Sequence, residues 1–226
     1  MCSRFALTSP PEAVRATFAH LPTEDFPPRY NIAPTQPIHI VRTSAAGARE
    51  CVLVRWGLIP RWVKDPAAFT TLINARSETA REKPSFRGAM RHKRCLIPVD
   101  AFYEWTGPKG AKRPFMFKAR EPGVMAFAGL HEHWMSADGS EMESAAILTT
   151  AANGVVLPFH DRMPVLLPQA LFDPWLDCKS VDAPEAEEML QPAPDDLLEA
   201  VEVSTALNSP KNTGPDVQTP ARTTLL

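Results

Sequence analysis

The chain has 226 residues, 44% of them hydrophobic and 22% charged, a balance that supports a buried core and excludes the low-hydropathy, high-charge class of disordered chains. Its net charge of −2 argues against a uniformly basic nucleic-acid binder, yet residues 1–170 carry 21 Lys and Arg against 15 Asp and Glu, while residues 171–226 carry 3 against 11, a split compatible with one basic surface. No apolar run approaches the ~20 residues of a bilayer span, the amino terminus lacks the apolar centre of a secretory signal, and the four cysteines form no C-x-x-C pair, so a cytoplasmic protein with reduced thiols and no membrane partner is expected.

"MCSRF" opens the chain with a cysteine directly behind the initiator methionine; removing Met1 would leave a free amine and a thiol on adjacent carbons. "EAVRATFAH" (12–20) predicts a helix, and "PIHIVR" (37–42) and "CVLVRWG" (51–57) predict strands from their β-branched content. The densest basic segment, "RSETAREKPSFRGAMRHKR" (76–94), has seven further Lys, Arg or His after Arg76 against Glu78 and Glu82; charge alone leaves a solvated helix and loop or a binding surface open. "RCLIPV" (94–99) and "AFYEWT" (101–106) read as strands. Alternation puts Tyr103 and Trp105 on one face and Glu104 on the other, where Glu104 either meets solvent or is a buried carboxyl. "GPKGAKR" is a hairpin loop into "PFMFKA" (114–119), followed by strands "GVMAFAGLHEHW" (123–134) and "SAAILTT" (144–150). His131 and His133 would share one side of their strand, but with no further clustered ligand no metal and no cofactor are expected. "PFHDRMPVLL" (158–167) places His160 in a loop, as a surface residue or a catalyst. "QALFDPWLD" (169–177) and "APEAEEMLQ" (183–191) read as short helices and "AVEVST" (200–205) as a last strand. The 24 prolines punctuate short apolar stretches rather than forming a linker. Many strands, few helices and no βαβ alternation predict an α+β fold with a curved, mostly antiparallel sheet. Cys51, Cys95 and Cys178 are expected to be small buried hydrophobes.

Four of these stretches, in this order, resemble the SRAP family, the SOS-response-associated peptidase fold that senses abasic sites in DNA. "MCSRF" is similar to the family opening M-C-G-R-F, "INARSET" (73–79) to N-A-R-x-E, "AFYEW" (101–105) to F-Y-E-W, and "HDRMP" (160–164) to H-x-R-M-P. "YNIAPTQP" (30–37), "WGLIPRW" (56–62), "RCLIPVDAFYEW" (94–105), "FAGLHEHW" (127–134) and "ALNSPKN" (206–212) look like the connecting blocks. The resemblance runs from Met1 to about residue 215 and implies a single SRAP domain over 1–226, with a barrel-like sheet, peripheral helices and a short tail.

The chemistry open to such a chain follows from its amino terminus. An abasic site equilibrates with a ring-opened aldehyde. An α-amino group titrates at roughly 7.7 to 8.0, so part of it is neutral and nucleophilic near neutral pH. Imine formation followed by attack of the neighbouring thiol closes a five-membered thiazolidine, and only an amino-terminal cysteine offers both groups at this spacing. The resemblance implies a DNA-protein crosslinking activity in which Cys2 is the nucleophile and Glu104 protonates the sugar ring oxygen, a task requiring a carboxyl raised by burial. It further implies that His160 stabilises the opened sugar and shuttles protons and that Asn74 holds Cys2 and the sugar by donating and accepting at once. Arg4, Arg76 and Arg162 resemble the family's DNA-contacting arginines; Trp62 and Phe159 are candidates for stacking on bases or for core packing. Single-stranded DNA carrying abasic sites is the expected partner, the protein acting as a monomer with no protein partner assigned. Ser3 departs from the family glycine and would be strained if the backbone there were left-handed. The alternatives are a thiol peptidase that uses Cys2 on its own methionine or on other peptides, with His160 as base, and a passive single-strand-binding module.

Overall fold

The computed structural model describes residues 2–19 and 25–221. Met1, His20 at the end of the expected first helix, and the tail 222–226 lie outside the described residues. In chain order the elements are β1 (Phe5–Leu7), α1 (Pro11–Phe18), β2 (Arg29–Ile32), β3 (Pro37–Thr43), β4 (Arg49–Trp56), β5 (Asn74–Arg76), α2 (Ser77–Ala80), α3 (Arg87–His92), β6 (Arg94–Val99), β7 (Ala101–Thr106), β8 (Arg113–Ala119), β9 (Met125–Met135), β10 (Glu141–Ala151), β11 (Arg162–Pro164), α4 (Phe172–Leu176), α5 (Ala183–Glu188) and β12 (Leu198–Glu202). Among the described residues no helix is long and apolar enough to cross a membrane.

Strands β4, β3, β6, β9 and β10 close a barrel, because β10 pairs antiparallel with β9 on one edge and parallel with β4 on the other. Closure removes the exposed edges of the sheet. β11 and β5 attach to the far part of β10. A second sheet, ordered β12-β8-β7-β1-β2, is antiparallel throughout. The fold is the expected α+β arrangement with a curved, mostly antiparallel barrel. Its helices are short and peripheral: α1 starts at Pro11, whose fixed φ suits a first helical turn, and stops at Ala19, which is left-handed (φ 49°).

Aromatic side chains join the two sheets. Phe5 of β1 meets Trp56 edge-on at 5.1 Å and Phe127 at 5.8 Å, and Phe102 of β7 stacks on Phe117 at 5.1 Å, geometries the ring quadrupole favours. Cys2, Phe5, Phe102 and Phe117 thus share one core with the barrel residues Ile97, Phe127 and Ile147. The segment from Cys2 to Phe5 is consequently sewn into the interior.

One glycine has a direct bearing on what lies beside it. Gly57 ends β4 with φ 131°, and a Cβ there would lie 2.3 Å from Thr71 Cγ2; only glycine allows the close approach. Its N–H donates to Ala145 O at 2.8 Å, and the Trp56 indole donates to Ile73 O at 2.9 Å. The chain returning through 72–76 is thereby drawn in as β5, with Asn74 opposite Ile147.

Several boundaries differ from the sequence expectation. The last strand lies at 198–202 instead of 200–205, since Ser204 accepts from Ala206 N and starts a 3-10 turn. The helix expected over 183–191 closes at Glu188, and that over 169–177 divides into a 3-10 turn and α4. Ser3 does not adopt a positive φ, so the condition under which serine would be strained there is not met.

Candidate active site

Cys2 lies just ahead of β1, fully buried, because β1 pairs with β7 and Tyr103 N donates to Arg4 O at 3.1 Å. Among the described residues its thiol makes one long hydrogen-bond contact, 3.5 Å to Arg4 O. Burial, and next the charge of Glu104, push the thiol far above its ordinary pKa, so the resting sulfur is protonated. Asn74 reaches across from β5: its Nδ2 donates to Cys2 O at 2.8 Å. Its Oδ1 is buried and has no hydrogen-bond partner among the described residues.

Glu104 stands on β7 opposite Phe115 of β8. It is 5% exposed, so of the two readings open in the sequence the solvent-facing one is excluded. Strand alternation explains the placement: Tyr103 and Trp105 face a separate small cluster with Val203 and Leu207, whereas Phe102 on the Glu104 side faces the main core. Burial raises the Glu104 pKa, and positive charge nearby opposes that rise. The carboxyl lies within electrostatic reach of the thiol on one side and of the imidazole on the other.

His160 is delivered by the turn 153–160. Asn153 closes this turn, its Oδ1 accepting from Val156 N at 3.1 Å and its Nδ2 donating to Ala193 O at 3.0 Å. Phe159 rests on Phe115 and Phe117 at ring distances of 4.6 and 5.1 Å, which seats His160 against the strand pair that carries Glu104. The Arg162 amide donates to His160 Nδ1 at 2.9 Å. A nitrogen that accepts carries no proton, so the neutral ring is protonated at Nε2. Asp161 Oδ1 also lies 2.9 Å from Nδ1; with that lone pair engaged by the amide, this carboxylate is a charged neighbour and not a hydrogen-bond acceptor. Cys2, Asn74, Glu104 and His160, scattered over 159 positions of sequence, are thus brought to one place.

The residues expected to meet DNA differ in their engagement. Arg4 donates to Asn31 Oδ1 at 2.7 Å and Leu207 O at 3.2 Å and lies over the Trp105 ring. It is an internal tie as well as a cation. Arg162 forms a two-point ion pair with Glu78, at 3.0 and 2.9 Å. Arg76 is exposed. Trp62 is 58% exposed and meets Phe69 edge-on at 5.6 Å, whereas Phe159 is packed as described. The basic segment becomes β5, α2 and α3, with Phe86, Ala89 and Met90 buried and Lys83, Arg87 and Arg91 exposed.

His131 and His133 do not approach a third ligand: among the described residues no group of three His, Cys, Asp or Glu is placed to hold a metal. His131 is pushed down to about 3 by burial, then by the charges of Arg42 and Lys93, while His133 meets Glu141 at 3.2 Å. Cys51 and Cys95 are buried and Cys178 is partly exposed. Two contributors went unassigned in the sequence. Asn31 is buried and donates to Ser209 O and Asn212 O while accepting from Arg4; its membership of the "YNIAPTQP" block was the available signal. Glu78 is the acidic residue of the second block.

Fold and site together define a barrel protein that buries an amino-terminal thiol beside an amide, a carboxyl and an imidazole. The family model of the SOS response associated peptidases (SRAP) matches residues 1–210. The chain belongs to that family. It is 41% identical over 222 residues to the abasic site processing protein YoqW of Bacillus subtilis strain 168, covering 96% of this chain and 98% of that one. It is 30% identical over 207 residues to the abasic site processing protein HMCES of Gallus gallus, covering 80% of this chain and 61% of that longer one. A crystal structure of a protein from Bacteroides thetaiotaomicron superposes with a TM-score of 0.87 at 25% identity, over 98% of this chain and all of that one.

Proposed function

We propose that the chain, once Met1 is removed, crosslinks covalently and reversibly to abasic sites in single-stranded DNA through Cys2. The observation that carries this reading is the burial of Cys2 with Asn74 hydrogen-bonded to it and Glu104 within electrostatic reach of both its thiol and His160. The methionine must go because its amide bond would occupy the nitrogen that attacks the aldehyde.

Glu104, whose carboxyl pKa is raised by burial, gives its proton to the sugar ring oxygen as the C–O bond breaks and becomes a carboxylate, while the anomeric hydroxyl loses its proton to solvent and becomes the aldehyde oxygen. The Cys2 amine adds to the aldehyde carbon, and loss of water leaves an imine. The thiol then adds to the imine carbon, its proton passing to a base as the C–S bond forms and the imine nitrogen taking up a proton. A thiol whose pKa is raised first of all by burial suits this order: the sulfur stays protonated until it adds to the imine and hands its proton to the Glu104 carboxylate left by ring opening. His160, protonated at Nε2, offers an N–H donor to the opened sugar. The buried acceptor Asn74 Oδ1 is matched to a donor on the amine or the sugar. Reversal retraces the sequence and releases the aldehyde. Phosphates flanking the lesion would meet Arg76 and neighbouring cations, giving affinity that falls with salt.

The peptidase alternative calls for a resting thiolate of depressed pKa, which the burial of Cys2 disfavours. The methionine-processed protein, incubated with an abasic single-stranded oligonucleotide and denatured, should yield a stable adduct. Cys2→Ala should lose this adduct entirely while keeping the amine, so that borohydride still traps an imine. Salt-labile binding without an adduct would favour a passive module, and cleavage of an added methionyl peptide the peptidase.

A further inference from the structure

The chemistry above leaves Glu78 without a part, yet it grips the residue next to the catalytic loop. Both Glu78 oxygens accept from Arg162, Nη1 at 3.0 Å and Nη2 at 2.9 Å. Arg162 Nε donates to Thr149 Oγ1 at 3.3 Å and Nη2 also to Thr149 O. All but one of the guanidinium N–H donors are therefore used inside the protein. The side chain of Arg162 is only 12% exposed, whereas that of Glu78 is 53% exposed. Such a pair spends its charge internally and gains a fixed direction.

The backbone of the same arginine is the second half of the observation. Arg162 is the first residue of the three-residue β11, paired with Ala151, and its N–H goes to His160 Nδ1. At the end of so short a strand the ladder alone anchors the residue weakly, and the side-chain clamp supplies the rest. We propose that Glu78 is a positioning residue for the crosslinking reaction: by holding Arg162 it fixes the backbone amide that keeps His160 in its Nε2–H form. The competitor is already in place. Asp161 Oδ1 lies 2.9 Å from Nδ1, and if the Arg162 amide withdrew, that carboxylate would draw the ring proton to Nδ1 and remove the donor from Nε2. Glu78 and Arg162 are 84 positions apart, so the second and fourth sequence blocks act as one device.

This inference rests on the crosslinking reading, and its test has one arm that does not. Two-dimensional 15N–1H spectra of His160 should show an Nε2–H ring in the wild type and a shift toward Nδ1–H in Glu78→Gln, with or without DNA. In adduct assays Glu78→Gln should bind abasic single strands as well as or better than wild type, because a carboxylate beside the phosphate path is gone. Its adduct rate at saturating DNA should nevertheless fall about tenfold or more, as expected for a misplaced catalytic group. Adding Asp161→Asn should restore both tautomer and rate, and Thr149→Val, which removes one clamp on the same guanidinium, should repeat the defect in weaker form. An unchanged tautomer in a folded Glu78→Gln protein overturns the proposal, as does an unchanged rate at saturating DNA. A tautomer shift in Glu78→Gln beside a wild type that makes no adduct would overturn the crosslinking reading alone.

Discussion

The recess of about 710 Å³ bounded by the β3–β4 turn, α4 and the segment that follows it holds Arg49, His92, Arg94 and His131, and by volume and charge it invites attention before the amino terminus does. Three of those four, however, are engaged or neutral. Arg94 is fully buried and donates to Met90 O, Trp175 O, Asp177 O and Val181 O; Arg49 donates to Phe18 O and Asp173; His131 is held neutral. Around Cys2 the balance is the reverse. The thiol has one long contact and Asn74 keeps a buried acceptor without a partner among the described residues, beside a carboxyl whose pKa is raised by burial. Buried polar groups with satisfied bonds hold segments together, while a perturbed carboxyl and an amide with an acceptor to spare suit a place that receives a substrate. The chemical state of its groups, more than volume, sets this end of the barrel apart.

Substitution at each end should separate the two roles. Glu104→Gln should lower the adduct rate by about 100-fold or more, the usual scale of a lost general acid, while making the protein more stable at neutral pH. The sign follows from linkage. Burial raises the folded-state carboxyl above its unfolded value, so the wild type has its full stability below the unfolded value and loses some as pH rises through the folded one. Glutamine does not titrate there, and the gap between the two unfolding midpoints should widen from acid toward neutral pH. A gap that narrowed would mean that the ionised carboxylate is the favoured form. Arg94→Met should do the opposite: about 3 kcal/mol of stability lost, because buried carbonyls are left without donors, with an unchanged adduct rate per folded molecule. Loss of rate without loss of stability would erase the contrast between the two regions. Arg76→Gln should have the mildest effect, reducing the slope of log affinity against log salt by about 0.7 on single strands and leaving the rate at saturating DNA unaltered.

Much of this was readable from residue order. β3, β4, β6, β7, β8, β9 and β10 announce themselves by β-branched and aromatic content over six residues or more, and the four motif blocks supply a thiol, an amide, a carboxyl and an imidazole. Strands β1, β2, β5 and β11, at three or four residues each, are too short for a two-residue period to register, and β5 and β11 exist because β10 offers them an edge. The buried cradle of Arg94 was equally hidden, because its carbonyl partners at 175, 177 and 181 lie more than 80 residues away, and a basic run gives no hint of which member turns inward.

Sequence by itself determined the chemical inventory: a cysteine that one cleavage converts to a 1,2-aminothiol, and the side chains that can move protons around it. Tertiary structure decided their state. Whether Glu104 is neutral, whether the thiol is protonated, which nitrogen of His160 carries the hydrogen and which arginines keep charge to offer are set by desolvation and by partners up to 203 positions away, and the energy of an ionisable group depends on the dielectric and charges around it, which no local run of residues encodes.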